Sequence, residues 1–78
     1  MNMVDVDSSM ISAVGYDAAT HRMQVIFNSG RVYCYETVPL EEYEGLLNAS
    51  SKGSYMLSHI IDMYPYSKRP CPKQKISK

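Results

Sequence analysis

The feature that most constrains the fold is a pair of short runs rich in β-branched and aromatic residues, residues 22–27 (RMQVIF) and residues 31–36 (RVYCYE). Ser29 and Gly30 lie between them, and a glycine supplies the positive φ that a tight turn requires. The pattern therefore predicts a β-hairpin with Ser29-Gly30 as a two-residue loop. Because a chain of 78 residues forms one small domain, we expect this hairpin to contribute to its single core.

The predicted loop fixes which side chains share a face of the sheet, since side chains alternate along a strand and opposed residues share a face. In this register Val25 faces Cys34 and Gln24 faces Tyr35. The face assigned to the core is apolar and holds Met23, Val25, Phe27, Val32 and Cys34. The face assigned at least partly to solvent holds Gln24, Ile26, Asn28, Arg31, Tyr33 and Tyr35. A shift by one residue would bury Arg31 and Gln24, which is the reason for this choice.

The remaining chain predicts one more strand and two helices. Residues 9–17 (SMISAVGYD) are typical of a strand, and Pro39 suits the first position of a helix. Ser50 or Ser51 caps a second helix, which ends at Tyr64-Pro65. We therefore predict an α+β fold, a three-stranded antiparallel β-meander with two C-terminal helices packed on one face. The domain should span residues 9–66, between a disordered segment at 1–8 and a flexible basic tail at 67–78.

The net charge of zero conceals an uneven distribution of charge along the chain. Residues 1–50 hold two basic and seven acidic side chains, whereas residues 51–78 hold six basic side chains and one acidic side chain. This asymmetry indicates either an anionic partner or a basic end that folds against the chain's own acidic helix.

Neither metal binding nor catalysis is supported by the spacing of the chemically reactive residues. His21, Cys34, His59 and Cys71 occur singly, without the paired spacing of zinc ligands. A Cys34 packed in the core would be an inert thiol. We therefore expect no enzyme activity, metal or cofactor.

The sequence also predicts the cellular location of the protein. The amino terminus is acidic and lacks a basic segment leading into an apolar run, which argues against a secretory signal. No run approaches the roughly 20 apolar residues of a membrane span. We expect a cytoplasmic protein in which Cys34 and Cys71 remain reduced rather than paired.

Two segments are candidate binding sites. Tyr33 and Tyr35 project from the same side of the predicted sheet as Arg31, in the manner of platforms on which single-stranded bases stack. Tyrosine is also an ordinary strand residue, so packing beneath the tail or a neighbouring chain is the alternative. The helix start at Ser51, Lys52 and Gly53 offers free backbone N–H groups to an anion, or else is a serine cap beside a solvated lysine.

Five segments resemble, in order, the KTSC domain, a short bacterial domain found alone or at the carboxyl end of some lysyl-tRNA synthetases. They are VGYD, SGRVYCYETVP, YEGLL, SSKGSY and YPY, and the similarity covers about residues 9–67. The resemblance places the family's tyrosine-x-tyrosine on Tyr33 and Tyr35 and its helix start on residues 51–53. It implies no catalytic residues and no assigned function, although the synthetase context has suggested RNA binding.

The second helix departs from the family pattern. After Tyr55 many members have phenylalanine and asparagine followed by basic positions, whereas this chain continues with residues 56–63 (MLSHIIDM), which are less basic and more apolar. Our leading hypothesis is a non-enzymatic module for RNA, including tRNA, or another single-stranded nucleic acid. It would use Arg31, Tyr33, Tyr35, Lys52, Lys68 and Arg69. The alternative is a protein-interaction or homodimerisation module that uses Met56, Ile60 and Met63 of the second helix.

Overall fold

The structure, a computed structural model, describes residues 1–72. Its elements are β1 (Met3–Asp5), β2 (Ile11–Asp17), β3 (Arg22–Phe27), β4 (Val32–Tyr35), α1 (Leu40–Asn48), α2 (Lys52–Tyr55), a π-helical segment (Met56–Ile60) and β5 (Tyr66–Ser67). The five strands form one antiparallel sheet in chain order. The α+β class is confirmed, but the predicted count of three strands is wrong. The part of the basic tail at 73–78 lies outside the described residues.

The two additional strands lie at the edges of the sheet: β1 falls in the segment 1–8 that we predicted to be disordered, and β5 spans the predicted boundary between the domain and the flexible tail. β1 pairs with β2, with Met3 opposite Gly15. A Cβ atom at position 15 would lie 2.5 Å from the Met3 sulfur, so the close approach of β1 depends on this glycine. β5 pairs with β4, with Tyr66 opposite Tyr35. Such short edge strands are held by backbone hydrogen bonds, which leave little signal in the pattern of side chains.

The hairpin of β3 and β4 has a different register from the predicted one. Val25 lies opposite Tyr33, and Gln24 lies opposite Cys34. The loop has three residues rather than two, since the Phe27 N–H donates to the Arg31 carbonyl at 2.8 Å and Gly30 has a φ of +95°. Three-residue loops with glycine in a left-handed conformation are a common hairpin type. The shift of one residue exchanges the two faces of β4.

We call the side of the sheet covered by the helices the helix face and the other side the outer face. Tyr33 and Tyr35 belong to the helix face, and Cys34 and Gln24 belong to the outer face. Our objection to this register, that it buries Arg31 and Gln24, does not hold. Arg31 is exposed at the end of the hairpin, and Gln24 is only half-buried.

The core lies between the helix face and the helices, and it is apolar apart from one tyrosine hydroxyl. Its largest cluster consists of Ile11, Val14, Met23, Val25, Tyr35, Val38, Leu46, Met56 and Ile60. Tyr43 of α1 stacks on Tyr16 of β2 with ring centroids 5.2 Å apart, and the Tyr16 hydroxyl donates to the Val38 carbonyl at 2.5 Å. These contacts fix α1 against the sheet.

The second helical region is shorter than we predicted. Ser51 caps α2, because its hydroxyl oxygen accepts from the Ser54 N–H at 3.3 Å. The helix then widens into the π-helical segment, where the Ile61 N–H donates to the Met56 carbonyl at 2.7 Å. Asp62 has a φ of +67° and turns the chain toward β5, so Met63 is not part of the helix. Within residues 1–72, no helix has the length and apolar character needed to cross a membrane.

A disulfide joins Cys34 of β4 to Cys71 on the outer face, so the prediction of two reduced thiols is wrong. Ser67 lies opposite Cys34 in the sheet, and a reversal of the next few residues returns Cys71 to within 4.8 Å, measured between the two Cα atoms. The Cys71 N–H also donates to the Gln24 side-chain oxygen at 2.8 Å. Cys34 is buried as predicted, but beneath this returning segment and not in the core.

A candidate nucleic-acid interface

Four aromatic rings form a continuous row on the helix face, across β3, β4 and β5. We call these rings, Phe27, Tyr33, Tyr35 and Tyr66, the aromatic row. Tyr33 packs edge-on against Phe27 at 5.0 Å between ring centroids. It also stacks parallel to Tyr66 at 5.4 Å with an interplanar angle of 1°. Tyr35 is tilted against Tyr66 at 5.6 Å.

The rings of the aromatic row differ in their accessibility. Tyr35 is only 2% exposed, whereas Tyr66 is 45% exposed and Tyr33 is half-buried. Burial raises the pKa of Tyr35 to about 12, with smaller contributions from charge on Tyr33, Tyr66 and Asp62. The prediction that Tyr35 offers its ring to a ligand from a solvent-facing surface is therefore wrong. Tyr35 supports the row from within the core, and the accessible rings are those of Tyr33 and Tyr66.

An open groove of about 710 Å³ runs along the aromatic row. All four rings line it, and Ile61 and Asp62, which follow the π-helical segment, line it as well. The hairpin loop contributes Arg31, and the chain just before β2 contributes Met10. The groove exists because the helical region ends at Ile60 and leaves this end of the helix face uncovered.

The groove carries one basic and one acidic side chain, and a second basic side chain lies beside it. Arg31 and Asp62 line the groove itself. Lys68 shares with Arg31 and Tyr33 a smaller adjoining depression of about 300 Å³. Within residues 1–72, no hydrogen bond or ion pair engages the side chain of Arg31 or Asp62. Among the described residues, nothing therefore competes with a ligand for either charge.

The structure thus brings together only part of the predicted nucleic-acid site. Arg31, Tyr33 and Lys68 converge, whereas Arg69 is exposed outside the groove. The helix start at residues 51–53 lies elsewhere, and the Lys52 ammonium donates to the Ala49 carbonyl at 3.0 Å. The serine cap that was our alternative is present there, and anion binding at this helix start stays a prediction.

The predicted partner surface is only partly accessible. Met56 and Ile60 are fully buried in the core, so they cannot contact a partner, and this part of the prediction is wrong. Met63 is 64% exposed because it lies beyond the helix.

Two aromatic residues and one acidic residue of the groove were absent from the predicted site. Phe27 was assigned to the core and Asp62 to the interior of a helix. Tyr66 entered the sequence prediction only as part of the YPY segment. A three-residue loop ending in Gly30 would have placed Phe27 beside Tyr33. No sequence signal points to the pairing that brings Tyr66 next to both.

Comparison with known proteins identifies close similarities over most of the chain. The family profile described as the KTSC domain matches residues 7–64. An uncharacterised protein from Stutzerimonas stutzeri is 40% identical over 55 residues, which cover 70% of this chain and 78% of that protein. A lysine–tRNA ligase from a Nostoc species is 38% identical over 60 residues, 77% of this chain but only 11% of the ligase.

The fold has a counterpart among solved structures. The crystal structure of a KTSC domain protein from Yersinia pestis matches with a TM-score of 0.84 and 27% sequence identity. The match covers 86% of this chain and 94% of that one.

Proposed function

This chain belongs to the KTSC domain family, and we propose that it is a non-enzymatic module that binds RNA or another single-stranded nucleic acid in the groove along the aromatic row. The observation that carries the proposal is the set of stacked, partly exposed rings of Tyr33 and Tyr66 in an open groove.

Aromatic rings are general receptors for nucleobases because every base has a π-face. Stacking of one base on one aromatic side chain is worth about 1–3 kcal/mol. The groove, at about 710 Å³, falls within the range of sites that hold small organic groups. The apolar floor formed by Phe27 and Tyr35 would exclude water from a stacked base.

The positive charges beside Tyr33 supply contacts for phosphate. Arg31 and Lys68 flank this ring. Arg69 follows Lys68 in the chain and adds a further positive charge outside the groove. The Nostoc relative is named as a lysine–tRNA ligase, which favours RNA, tRNA included, over DNA as the ligand. Since phosphate contacts release condensed counterions, binding should weaken steeply as salt increases.

The test is a titration of labelled single-stranded RNA with three proteins: the wild type, Tyr66→Ala and the ring-preserving control Tyr66→Phe. Loss of one stacking ring should weaken binding by about 1–3 kcal/mol, whereas Tyr66→Phe should bind like the wild type. Tyr66 suits this test because it is an exposed edge residue. Tyr35→Ala would instead open a cavity in the core. Absent or salt-insensitive binding by the wild type, or equal binding by Tyr66→Ala, would refute the proposal.

A further inference from the structure

The two charged side chains of the groove come from different elements, and neither has a partner among the described residues. Arg31 follows the hairpin loop, and Asp62 follows the π-helical segment. Within residues 1–72 neither side chain forms a hydrogen bond or an ion pair. A purely electrostatic phosphate site would not place a carboxylate beside the stacking rings, because the carboxylate repels phosphate.

We propose that the groove selects guanine, with the Asp62 carboxylate accepting hydrogen bonds from the guanine N1–H and N2–H groups while the base stacks on the accessible tyrosines. This proposal rests on the function proposed above and names the base that the same groove prefers. Arg31 and Lys68 would contact phosphate whatever the base.

The preference follows from which base edges can donate to a carboxylate. An ionised carboxylate only accepts hydrogen bonds, and its two oxygens accept well from two adjacent donors. Guanine is the one standard base whose Watson–Crick edge presents two adjacent donors. Adenine and cytosine present one donor next to an acceptor, and uracil presents one donor between two acceptors. Each acceptor facing the carboxylate would be repelled.

The groove is also lined by a side-chain amide, that of Asn28, which is engaged within the protein. The Asn28 Oδ1 atom accepts from the Ser12 hydroxyl at 2.5 Å, and its Nδ2 atom donates to the Ser8 carbonyl at 2.9 Å. These two hydrogen bonds hold the Asn28 amide against Ser12 and Ser8, so Asn28 is less suited than Asp62 to read a base edge. Asp62, in contrast, lies near enough to the floor of the groove for its negative charge to contribute to the raised pKa of Tyr35.

The experiment measures binding to short uridine-rich RNAs that carry one central test base: guanine, adenine, cytosine, uracil or hypoxanthine. The wild type should bind the guanine RNA about tenfold more tightly, or better, than the adenine, cytosine and uracil RNAs. Hypoxanthine lacks the N2 amino group, so its RNA should lie between guanine and the others.

Asp62→Asn and Asp62→Gly remove the carboxylate and suit the φ of +67° at this position, since Asn and Gly both adopt left-handed angles. Both variants should lose the guanine preference and retain affinity for the all-uridine RNA. The matched control Arg31→Gln should weaken all five RNAs equally and keep the preference. Circular dichroism confirms that each variant is folded.

The outcomes separate this proposal from the one on which it rests. RNA binding without a guanine preference, or a preference that survives in both Asp62 variants, overturns the guanine site and leaves the RNA-binding function standing. Absence of RNA binding by the wild type overturns both. Asp62-dependent binding of a lysine-rich peptide without RNA binding also overturns both and identifies a cationic peptide as the occupant.

Discussion

Gly30 determines where the side chains of the central hairpin point. Its φ of +95° closes a three-residue loop, and this loop sets Val25 opposite Tyr33. With the two-residue loop that we predicted, Tyr33 would lie on the outer face and the aromatic row would not form. One backbone conformation at one residue therefore underlies the proposed site.

We expect Gly30→Ala to lower the free energy of unfolding by about 1–2 kcal/mol, since a left-handed conformation costs this much for a residue with a Cβ atom. Apart from its two chain neighbours, no atom of residues 1–72 lies within 4 Å of the added Cβ, so the effect would be conformational and not steric. Urea denaturation measures the change.

The matched control is Gly53→Ala, where the new Cβ would meet Met10 at an ordinary contact distance of 3.5 Å. This variant should be as stable as the wild type or slightly more stable, because alanine is the better helix residue. Equal stability of Gly30→Ala and the wild type would mean that the loop does not need its left-handed residue.

At the scale of elements, α1 and the second helical region are joined through Glu42 and Tyr55. The Glu42 carboxylate accepts from the Tyr55 hydroxyl at 2.7 Å and from the Tyr64 hydroxyl at 3.2 Å. The hydrogen bond to Glu42 is the main cause that raises the pKa of Tyr55 to about 12. His59 stacks on the Tyr55 ring with ring centroids 4.2 Å apart, and its Nδ1 atom lies 3.9 Å from the same Glu42 carboxylate. The ring therefore lies in a fixed place against α1.

This placement predicts that Gly45→Ala is destabilising even though Gly45 is in a helix. The change should gain about 1 kcal/mol in helix propensity. The new Cβ, however, would lie 2.8 Å from the Tyr55 Cζ atom, and overpacking of this kind costs about 1–3 kcal/mol. We expect a net loss of stability in thermal or urea unfolding.

A double-mutant cycle isolates the cause. In a Tyr55→Ala background the ring is absent, so Gly45→Ala should become stabilising. If Gly45→Ala were destabilising to the same extent in both backgrounds, the Tyr55 ring would not be what excludes a side chain at position 45.

At the scale of the whole molecule, the Cys34–Cys71 disulfide holds the end of the described chain against the sheet. It closes a loop with a sequence separation of 37 residues, which contains both helices and β5. The covalent link therefore keeps β5, and with it Tyr66 of the aromatic row, next to β4.

Reduction of this disulfide should lower the free energy of unfolding by about 3–4 kcal/mol, the value expected from the loop entropy of the unfolded chain. This is a large part of the stability of so small a domain. The measurement is urea unfolding with and without a thiol reductant. The Cys34→Ala/Cys71→Ala variant serves as the control, since the reductant should leave its stability unchanged. A wild type that is equally insensitive to reductant would contradict the expected contribution.

The sequence by itself determined the features that depend on residues close together in the chain. Pro39 predicted the start of α1, Ser50 or Ser51 was predicted to cap α2, where Ser51 is the cap, and the two β-branched runs predicted β3 and β4. These signals are local propensities and periodicities, and they were enough to assign the α+β class and the helix-covered sheet. The ordered motifs also identified the KTSC family.

Only the tertiary structure decided the register of the hairpin, the two edge strands and the disulfide. Register is sensitive to one residue in a loop, and edge strands are held by backbone pairing that leaves little pattern in the side chains. Cys34 and Cys71, like Tyr33 and Tyr66, are neighbours solely because β5 returns to β4. The proposed site is made by such long-range contacts. Local sequence patterns do not predict them, because the energy of a contact between distant residues depends on the packing of the whole domain.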